Sequence, residues 1–249
     1  MEGSRNGTIA AVGADAHPHR LYAEHAGLPI GVVTQCAQNH GVMAQEAWLD
    51  LGGTGRAERV VRFQERGEES LFDLLSREPT RQARLERYQE TGVWAEWAAA
   101  GPDVLDFGGG LGATSALLAE AGKSVRYVDL EGAVARFAEW YLVECGGPHV
   151  SVAHTPGDTP RLPGDRFDLV LVENVLEYVA DPGMVVEALV RALAPAGQLW
   201  IRLDPRPASP CEPHRRELDL DALLARAPAL RGPVRRPFAV DGWTVFQRR

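Results

Sequence analysis

The sequence predicts an α/β fold in which a helical region precedes a doubly wound, mostly parallel sheet. From residue 103 onward, apolar runs of strand length alternate with helical segments, which is the pattern of a parallel sheet with crossover helices. Upstream of Gly101-Pro102, apolar residues recur with helical spacing and no strand pattern is convincing. Near the C-terminus, Asp241-Gly242 separates two β-prone segments, which indicates a hairpin and a final antiparallel strand.

Composition and charge restrict the functional classes. The 249 residues are 45% hydrophobic and carry a formal net charge of −8, which argues against nucleic acid or an anionic membrane as the main partner. No apolar run reaches membrane-spanning length, and the first residues lack a secretion signal pattern. The cysteines Cys36, Cys145 and Cys211 lie far apart, as expected for reduced thiols in the cytoplasm. The sequence does not decide whether the protein forms homo- or hetero-oligomers.

Residues 1–100 are expected to form a helical cap that covers the substrate. Residues 1–17 lack periodicity and are expected to be poorly ordered. Helical patterns begin near Leu21 and continue at residues 32–48, 56–64 and 71–75. A longer amphipathic helix is expected at 80–100, where the apolar positions include Leu85, Tyr88, Trp94 and Trp97.

Residues 101–249 are expected to form the sheet domain. Its predicted strands are residues 103–107, 125–129, 149–154, 167–172 and 197–203. Its predicted helices are residues 112–121, 132–145, 174–179, 182–194 and 217–227, and the terminal hairpin pairs 237–240 with 243–248. Right-handed crossovers in such a sheet bring ligands to the carboxyl ends of the strands.

A glycine-rich turn after the first strand is the centre of the predicted binding site. Asp106 ends an apolar run, and Gly108, Gly110 and Gly112 follow before a helical segment. Glycines let the backbone bend sharply and approach a ligand closely. The following helix presents unpaired N–H groups at its N-terminus. The pattern predicts a site for a small, nucleotide-like molecule.

Two kinds of ligand could explain the sequence pattern of this turn. Gly108, Gly110 and Ala113 satisfy a loose dinucleotide fingerprint, with Asp129 about twenty residues further on. However, a carboxylate at Asp106 would repel a doubly anionic pyrophosphate and favour a cationic amine. Asp129 ends the next strand, where its carboxylate can accept both hydroxyls of a ribose. An amine and a ribose together fit S-adenosylmethionine (SAM) better than a nicotinamide dinucleotide.

Four segments in consistent order resemble the motifs of class I SAM-dependent methyltransferases. They are Asp106-x-Gly108-x-Gly110-x-Gly112, Tyr127-Val128-Asp129-Leu130, the stretch 167–178 and Leu193-Ala194-Pro195-Ala196-Gly197. The resemblance covers about residues 84–249 and implies a Rossmann-like fold with SAM as the cofactor. It implies cofactor contacts for eight residues: Asp106, Gly108, Gly110, Gly112, Asp129, Leu130, Asp158 and Glu173.

The chain departs from the family pattern at two positions. The third family motif usually supplies an acid that contacts the adenine amino group, whereas this chain has His154-Thr155-Pro156-Gly157-Asp158. Either Asp158 serves, or only backbone contacts the adenine. In the stretch 167–178, Asn174 and Tyr178 stand where histidines are frequent, which removes a ready general base.

Catalytic candidates lie beside the predicted acceptor pocket. Asn174, Glu177 and Tyr178 are expected on one face of a short helix just past a strand end. The alternative is that Glu177 caps or pairs structurally while Tyr178 packs. From the cap, His40 could titrate near neutral pH, although a solvated helix face with Gln38, Asn39 and Glu46 explains the same pattern.

The loop after the fifth predicted strand supplies two further patterns. His214, Arg215 and Arg216 could bind a carboxylate or phosphate of the substrate, or could form a solvated loop. Cys211-x-x-His214 is half of a metal site with no second half nearby in the sequence, so no metal is expected.

The resemblance therefore implies methyl transfer from SAM to a small-molecule acceptor, which we expect in bacterial specialised metabolism. Lys123 is the only lysine in a chain rich in arginine and alanine, which we attribute to a GC-rich bacterial genome. An alternative is an enzyme of the same fold repurposed for ring closure, elimination or decarboxylation, with SAM idle or absent. A third hypothesis is a non-catalytic partner subunit. The glycines of the turn argue against it, because such a subunit would not need them.

Overall fold

The computed structural model describes most of the chain. The described residues are 16–51, 59, 62–63, 68–145, 147–155, 162, 166–204, 218–224, 227, 229–231 and 242–248. The expectations for residues 1–15, for most of 56–64, for 156–160 and for 205–217 lie outside these ranges, as does the strand expected at 237–240. Among the described helices, none combines the length and apolar character needed to cross a lipid bilayer.

Within the described residues, seven strands form one sheet. They are β1 (Asp103–Phe107), β2 (Ser124–Leu130), β3 (Val150–Thr155), β4 (Phe167–Glu173), β5 (Leu193–Arg202), β6 (Leu230–Arg231) and β7 (Trp243–Arg248). Their order is β3-β2-β1-β4-β5-β7-β6. Strands β1 to β5 are parallel, and β7 is antiparallel to both β5 and β6. The predicted α/β class and the terminal antiparallel strand are confirmed.

The strand order creates a crevice beside β1. The chain runs from β1 outward to β2 and β3, then returns to place β4 on the other side of β1. Helices that follow the neighbouring strands β1 and β4 therefore diverge, which leaves room for a ligand at the carboxyl ends of these two strands.

The described helices are α1 (Pro18–Ala26), α2 (Ile30–Gln38), α3 (His40–Asp50), α4 (Glu68–Arg77), α5 (Arg81–Glu90), α6 (Val93–Ala99), α7 (Ala113–Glu120), α8 (Ala133–Cys145), α9 (Pro182–Ala192) and α10 (Leu220–Leu224).

Two long helices expected in the N-terminal region are each broken into two. Residues 32–48 form α2 and α3, with a break at Asn39, and residues 80–100 form α5 and α6. The second break lies at Gly92, which adopts a left-handed φ of 76° that residues with a Cβ rarely adopt. Thr80 begins α5 as an N-cap, because its hydroxyl accepts the Ala83 N–H at 3.2 Å.

Helices α5 and α6 pack on the sheet itself. Trp97 is fully buried, and its ring lies 4.7 Å from that of Tyr88, 5.9 Å from Trp200 and 5.3 Å from Trp243, measured between centroids. These residues share an apolar cluster with side chains of β1, β2, β4 and α7. A second cluster joins α1, α2 and α4 to α8 and to Leu111 of the glycine turn. The domain boundary at residue 101 stays a prediction.

The only lysine of the chain has a structural role. Lys123 lies in the turn before β2, and its Nζ donates to the carbonyl oxygens of Ala98 at 2.8 Å and Ala100 at 2.6 Å. Carbonyls at the end of a helix lack partners within that helix, so the ammonium group caps α6. Burial lowers the pKa of Lys123.

The aromatic cluster generates a stability prediction. Trp97→Ala should lower the free energy of unfolding by about 3–5 kcal/mol, because it removes a fully buried aromatic side chain and leaves a cavity. Trp94→Ala is the matched control, since Trp94 is only partly buried at the edge of the same cluster. Denaturant unfolding of both variants measures the difference, and equal losses would contradict the packing described.

Candidate functional site

The glycine turn has a backbone that side chains would disrupt. Gly108, Gly110 and Gly112 have φ values of 69°, 55° and 84°, in the left-handed region that favours glycine. A Cβ on Gly108 would also lie 2.4 Å from a methyl carbon of Val175. Gly112 immediately precedes α7 as its N-cap residue. The predicted turn from strand to helix is therefore formed, with its backbone close to the segment after β4.

Asp106 is buried directly behind this turn. Its side chain is 4% exposed, and the Ser115 hydroxyl donates to Oδ2 at 2.6 Å. A Cβ on Gly109 would lie 2.7 Å from the same carboxylate oxygen, so glycine at this position leaves room for the acid. Burial raises the pKa of Asp106 to about 6, although the Ser115 hydrogen bond opposes this shift.

Asp129 is held against the glycine turn from the neighbouring strand. Its Oδ2 accepts the Gly110 N–H at 3.0 Å and the Tyr127 hydroxyl at 3.1 Å. Its Oδ1 accepts the Leu130 N–H at 2.7 Å. Burial raises the pKa of Asp129, and the hydrogen bonds from Leu130 and Gly110 partly offset the rise. Both carboxylates thus lie against the turn, at the ends of β1 and β2.

A cavity of about 510 Å³ opens at this edge of the sheet. Its size lies within the range of small-molecule sites. The glycine turn, Asp106, Asp129 and Leu130 form one end, and residues of α3 and α4 lie opposite. Nine residues predicted from the sequence line it: Asp106, Gly108, Gly110, Asp129, Leu130, Glu173, Asn174, Tyr178 and His40. Asp158 and the cluster His214, Arg215 and Arg216 lie outside the described residues.

The segment after β4 differs from the expected helix at 174–179. Asn174 has a φ of 54°, a left-handed backbone that is uncommon outside glycine and cannot continue a helix. Its N–H donates to the Arg202 carbonyl at 2.8 Å. A single 3₁₀ turn follows at Leu176–Tyr178. Asn174 and the half-buried Tyr178 therefore reach the cavity from an irregular segment.

Glu177 does not line the cavity. Its side chain is 2% exposed, and its Oε1 accepts the Asp204 N–H at 2.5 Å. This contact anchors the chain that leaves β5. The alternative in which Glu177 makes a structural contact therefore explains its position. The geometry gives no support to its predicted catalytic role.

His40 lies on the cavity wall, but both of its ring nitrogens face acceptors. Nδ1 lies 2.7 Å from the Ala37 carbonyl oxygen, and Nε2 lies 3.1 Å from Oδ1 of Asp73. Asp73 also pairs with Arg77, one turn further along α4. His40 is thus one member of a charged group on the cap. The neighbours considered with it, Gln38, Asn39 and Glu46, are not among the residues lining the cavity.

Glu173 is the centre of an ion-pair network that the sequence did not reveal. Its Oε2 accepts Arg84 at 2.9 Å and the Tyr88 hydroxyl at 2.9 Å. Its Oε1 accepts Arg202 at 2.8 Å and Arg87 at 3.3 Å. Burial alone would raise the pKa of Glu173, but the three guanidinium charges outweigh it and the pKa is lowered.

This network changes the role assigned to Glu173. An ionised carboxylate has about four sites for hydrogen-bond donors, and the four contacts from Arg84, Tyr88, Arg202 and Arg87 occupy them. A direct cofactor contact by Glu173 is therefore not favoured, and the carboxylate instead orients three arginines on the cavity wall. Two of them are three residues apart on α5, a helical spacing that could have indicated a shared face.

Arg84 connects the network to the glycine turn. Its NH1 donates to the Thr114 hydroxyl at 3.2 Å, in the first turn of α7. Its NH2 pairs with Glu78. The guanidinium therefore lies between the ion-pair network and the helix N-terminus that follows Gly112.

Comparisons with known proteins concern the sequence and the fold. Residues 105–199 match the family described as "Methyltransferase domain". Over 104 residues the chain is 34% identical to a ubiquinone biosynthesis O-methyltransferase of Pseudomonas fluorescens, a match that covers 41% of this chain and 44% of the relative. A protein of the same description from Pseudomonas aeruginosa is 34% identical over 106 residues, with the same coverage. The chain thus spans less than half the length of these relatives.

Solved structures share the fold. A SAM-dependent methyltransferase from Aquifex aeolicus aligns with a TM-score of 0.52 at 20% identity, covering 66% of this chain and 92% of that one. An O-methyltransferase family protein from Burkholderia thailandensis aligns with a TM-score of 0.54 at 16% identity, covering 86% and 71%. At these identities the likeness concerns the fold, whereas the family match concerns the sequence of residues 105–199. Residues 105–199 are therefore similar in sequence to the methyltransferase domain family, and the chain shares its fold with SAM-dependent methyltransferases.

Proposed function

We propose that this chain transfers a methyl group from SAM to a small-molecule acceptor. The observation that carries the proposal is a pair of carboxylates against the glycine turn, buried Asp106 and half-buried Asp129. Both line one cavity of about 510 Å³. A ligand with an ammonium group and a ribose diol complements two carboxylates placed at the ends of neighbouring strands.

The residues at this end of the cavity fit the parts of SAM in turn. The Asp106 carboxylate favours the methionyl ammonium group, directly or through the turn, because burial strengthens an attraction between opposite charges. The Asp129 carboxylate already accepts three hydrogen bonds, so of its roughly four acceptor sites one is left for a ribose hydroxyl, rather than for both. Leu130 and Val134, next along the cavity wall, offer apolar surface to the adenine ring.

Arg84 completes the site for the methionyl group. It lies beside Thr114 at the start of α7 and lines the cavity, so its positive charge attracts the carboxylate of the methionyl group. The zwitterionic methionyl end of SAM would then have an anionic partner at Asp106 and a cationic partner at Arg84. This role follows from the geometry and was not predicted from the sequence.

The acceptor is proposed to lie between the cap and the segment after β4. Asn174 and Tyr178 provide neutral polar groups there, and His40 with Asp73 faces them from the cap. Bound SAM supplies an electrophilic methyl group, so the protein's main task is to align the acceptor atom with it. The relatives' description as O-methyltransferases supports oxygen as that atom. Bacterial specialised metabolism in the cytoplasm remains part of the proposal.

Replacing Asp129 tests the cofactor assignment. Asp129→Ala should weaken SAM binding between about tenfold and a few hundredfold, because hydrogen bonds to a charged group contribute roughly 1.5–3 kcal/mol each. Isothermal titration calorimetry measures the affinity. Asp103→Ala is the control, since Asp103 is exposed at the opposite end of β1. Unchanged affinity in Asp129→Ala, or no SAM binding by the unaltered protein, would refute the assignment.

The ionisation of Asp106 predicts a pH dependence of SAM binding. The pKa of this acid is raised to about 6, so the group is ionised at pH 8 and loses its charge as the pH falls below 6. SAM affinity should therefore decrease from pH 7 to pH 5, by at most about tenfold per pH unit, since one proton is linked. Asp106→Asn should bind SAM weakly at pH 8 and lose this part of the pH dependence. Calorimetry at four pH values compares the two proteins, and parallel curves would count against a role for Asp106.

A further inference from the structure

We propose that the methyl acceptor carries a positively charged amino group and that Glu69 binds it. The inference rests on the proposed function, because it concerns the acceptor end of the same cavity. It goes further by naming the chemical class of the acceptor and the side chain that selects it.

Helix α4 presents one face to the cavity. Its lining residues recur with the three- and four-residue spacing of a single helix face and are Glu69, Ser70, Asp73, Leu74 and Arg77. Leu74 lies at the cofactor end, since a Cβ on Gly110 would be 3.7 Å from its Cδ1. A helix rises about 1.5 Å per residue, so Glu69 lies about 7.5 Å from Leu74 along the axis of α4. Glu69 is therefore placed beyond the glycine turn, where the acceptor is proposed to lie.

Glu69 differs from the other acids of this part of the cavity wall because it lacks a partner. Asp73 and Glu78 each pair with an arginine, and Glu173 accepts from three. The carboxylate of Glu69 is half-buried and lines the cavity, yet it has neither a hydrogen bond nor an ion pair within the part of the chain that the structure describes. A carboxylate withdrawn from water without a partner is costly, and a cation in the cavity would offset that cost.

The start of α4 does not by itself explain this position. Glu68 and Glu69 both lie in the first turn, where the helix dipole favours an acid. Glu68 meets that preference from the exposed side of the helix and does not line the cavity. The dipole therefore accounts for acids in this turn, but not for a second one that faces the cavity.

A neighbouring hydroxyl also points to a bound hydrogen-bond donor. The Oγ of Ser70 is buried and has no hydrogen-bond partner among the described residues, and Ser70 lines the same cavity. A buried polar group without a partner is unfavourable. An ammonium group carries three N–H donors, so one amine can pair with the Glu69 carboxylate and donate to the Ser70 hydroxyl.

The surroundings favour an organic cation over a metal ion. Within the described ranges, no group of three or more histidine, cysteine, aspartate or glutamate side chains could hold a metal. Ala44 and Phe63 line the same cavity and offer apolar surface. A small amine with an apolar body matches both the charge and this surface.

The test compares amines with matched alcohols at the acceptor end. The protein is first saturated with S-adenosylhomocysteine, and benzylamine and tyramine are titrated by calorimetry at neutral pH against benzyl alcohol and tyrosol. At least one amine should bind about tenfold more tightly than its alcohol, the gain expected from a hydrogen bond to a charged group. Glu69→Gln should remove that preference, because it removes the charge at nearly constant size. Glu68→Gln, in the same helical turn but outside the cavity, should keep it.

Each result supports or overturns the proposal. Equal binding of amine and alcohol in both pairs, no binding of either amine, or an amine preference that survives in Glu69→Gln overturns it. If Glu69→Gln weakens binding of SAM but not of S-adenosylhomocysteine, Glu69 acts on the sulfonium, which also overturns the proposal. Failure of the proposed function is recognised separately, because the unaltered protein would then bind neither of these two molecules, and the amine pairs are titrated without them. If Glu69→Gln fails to fold, Glu69→Ala gives the same comparison, since alanine favours a helix.

Discussion

The ion-pair network at Glu173 is the interaction on which the geometry of the cavity depends. It joins α5 to the ends of β4 and β5 and, through Arg84, to the start of α7. Buried charges are costly unless they are paired and hydrogen-bonded, so these elements are held in one arrangement by the requirement to satisfy a single carboxylate. A cavity wall that could be apolar is instead lined with guanidinium groups.

The two ends of the cavity are built by different means. At the cofactor end, the backbone of the glycine turn fixes the carboxylates: Gly109 leaves room for Asp106, and the Gly110 N–H holds Asp129. At the proposed acceptor end, side chains from distant segments meet, such as His40 and Asp73 of the helical region. The first arrangement depends on local chain conformation, and the second depends on how the helical cap packs. Under the proposed function, selectivity for the acceptor can therefore change with little effect on cofactor binding.

The contrast between local chain conformation and long-range packing explains which features could be predicted from the sequence. The strand β1 was predicted with its observed bounds, and the glycine turn and Asp129 were found, because each is signalled by residues adjacent in the chain. The break at Gly92 was missed because an isolated glycine in a helical pattern is often tolerated. Glu173 was assigned to the cofactor from the family resemblance, and its ion pairs were missed because Arg84 and Arg202 are far from it in the sequence. Long-range ion pairs leave no periodic signal.

The buried lysine has a practical consequence for labelling and immobilisation. Reagents that acylate amines react with exposed, unprotonated lysine side chains, and the only lysine in this sequence is 7% exposed with its Nζ engaged by carbonyl oxygens at the end of α6. Such reagents should therefore spare the side chains of the folded protein. Acylation of Lys123 would report that its hydrogen bonds to the end of α6 have broken. Amine reactivity is therefore a sensitive measure of local opening where the helical region meets the sheet.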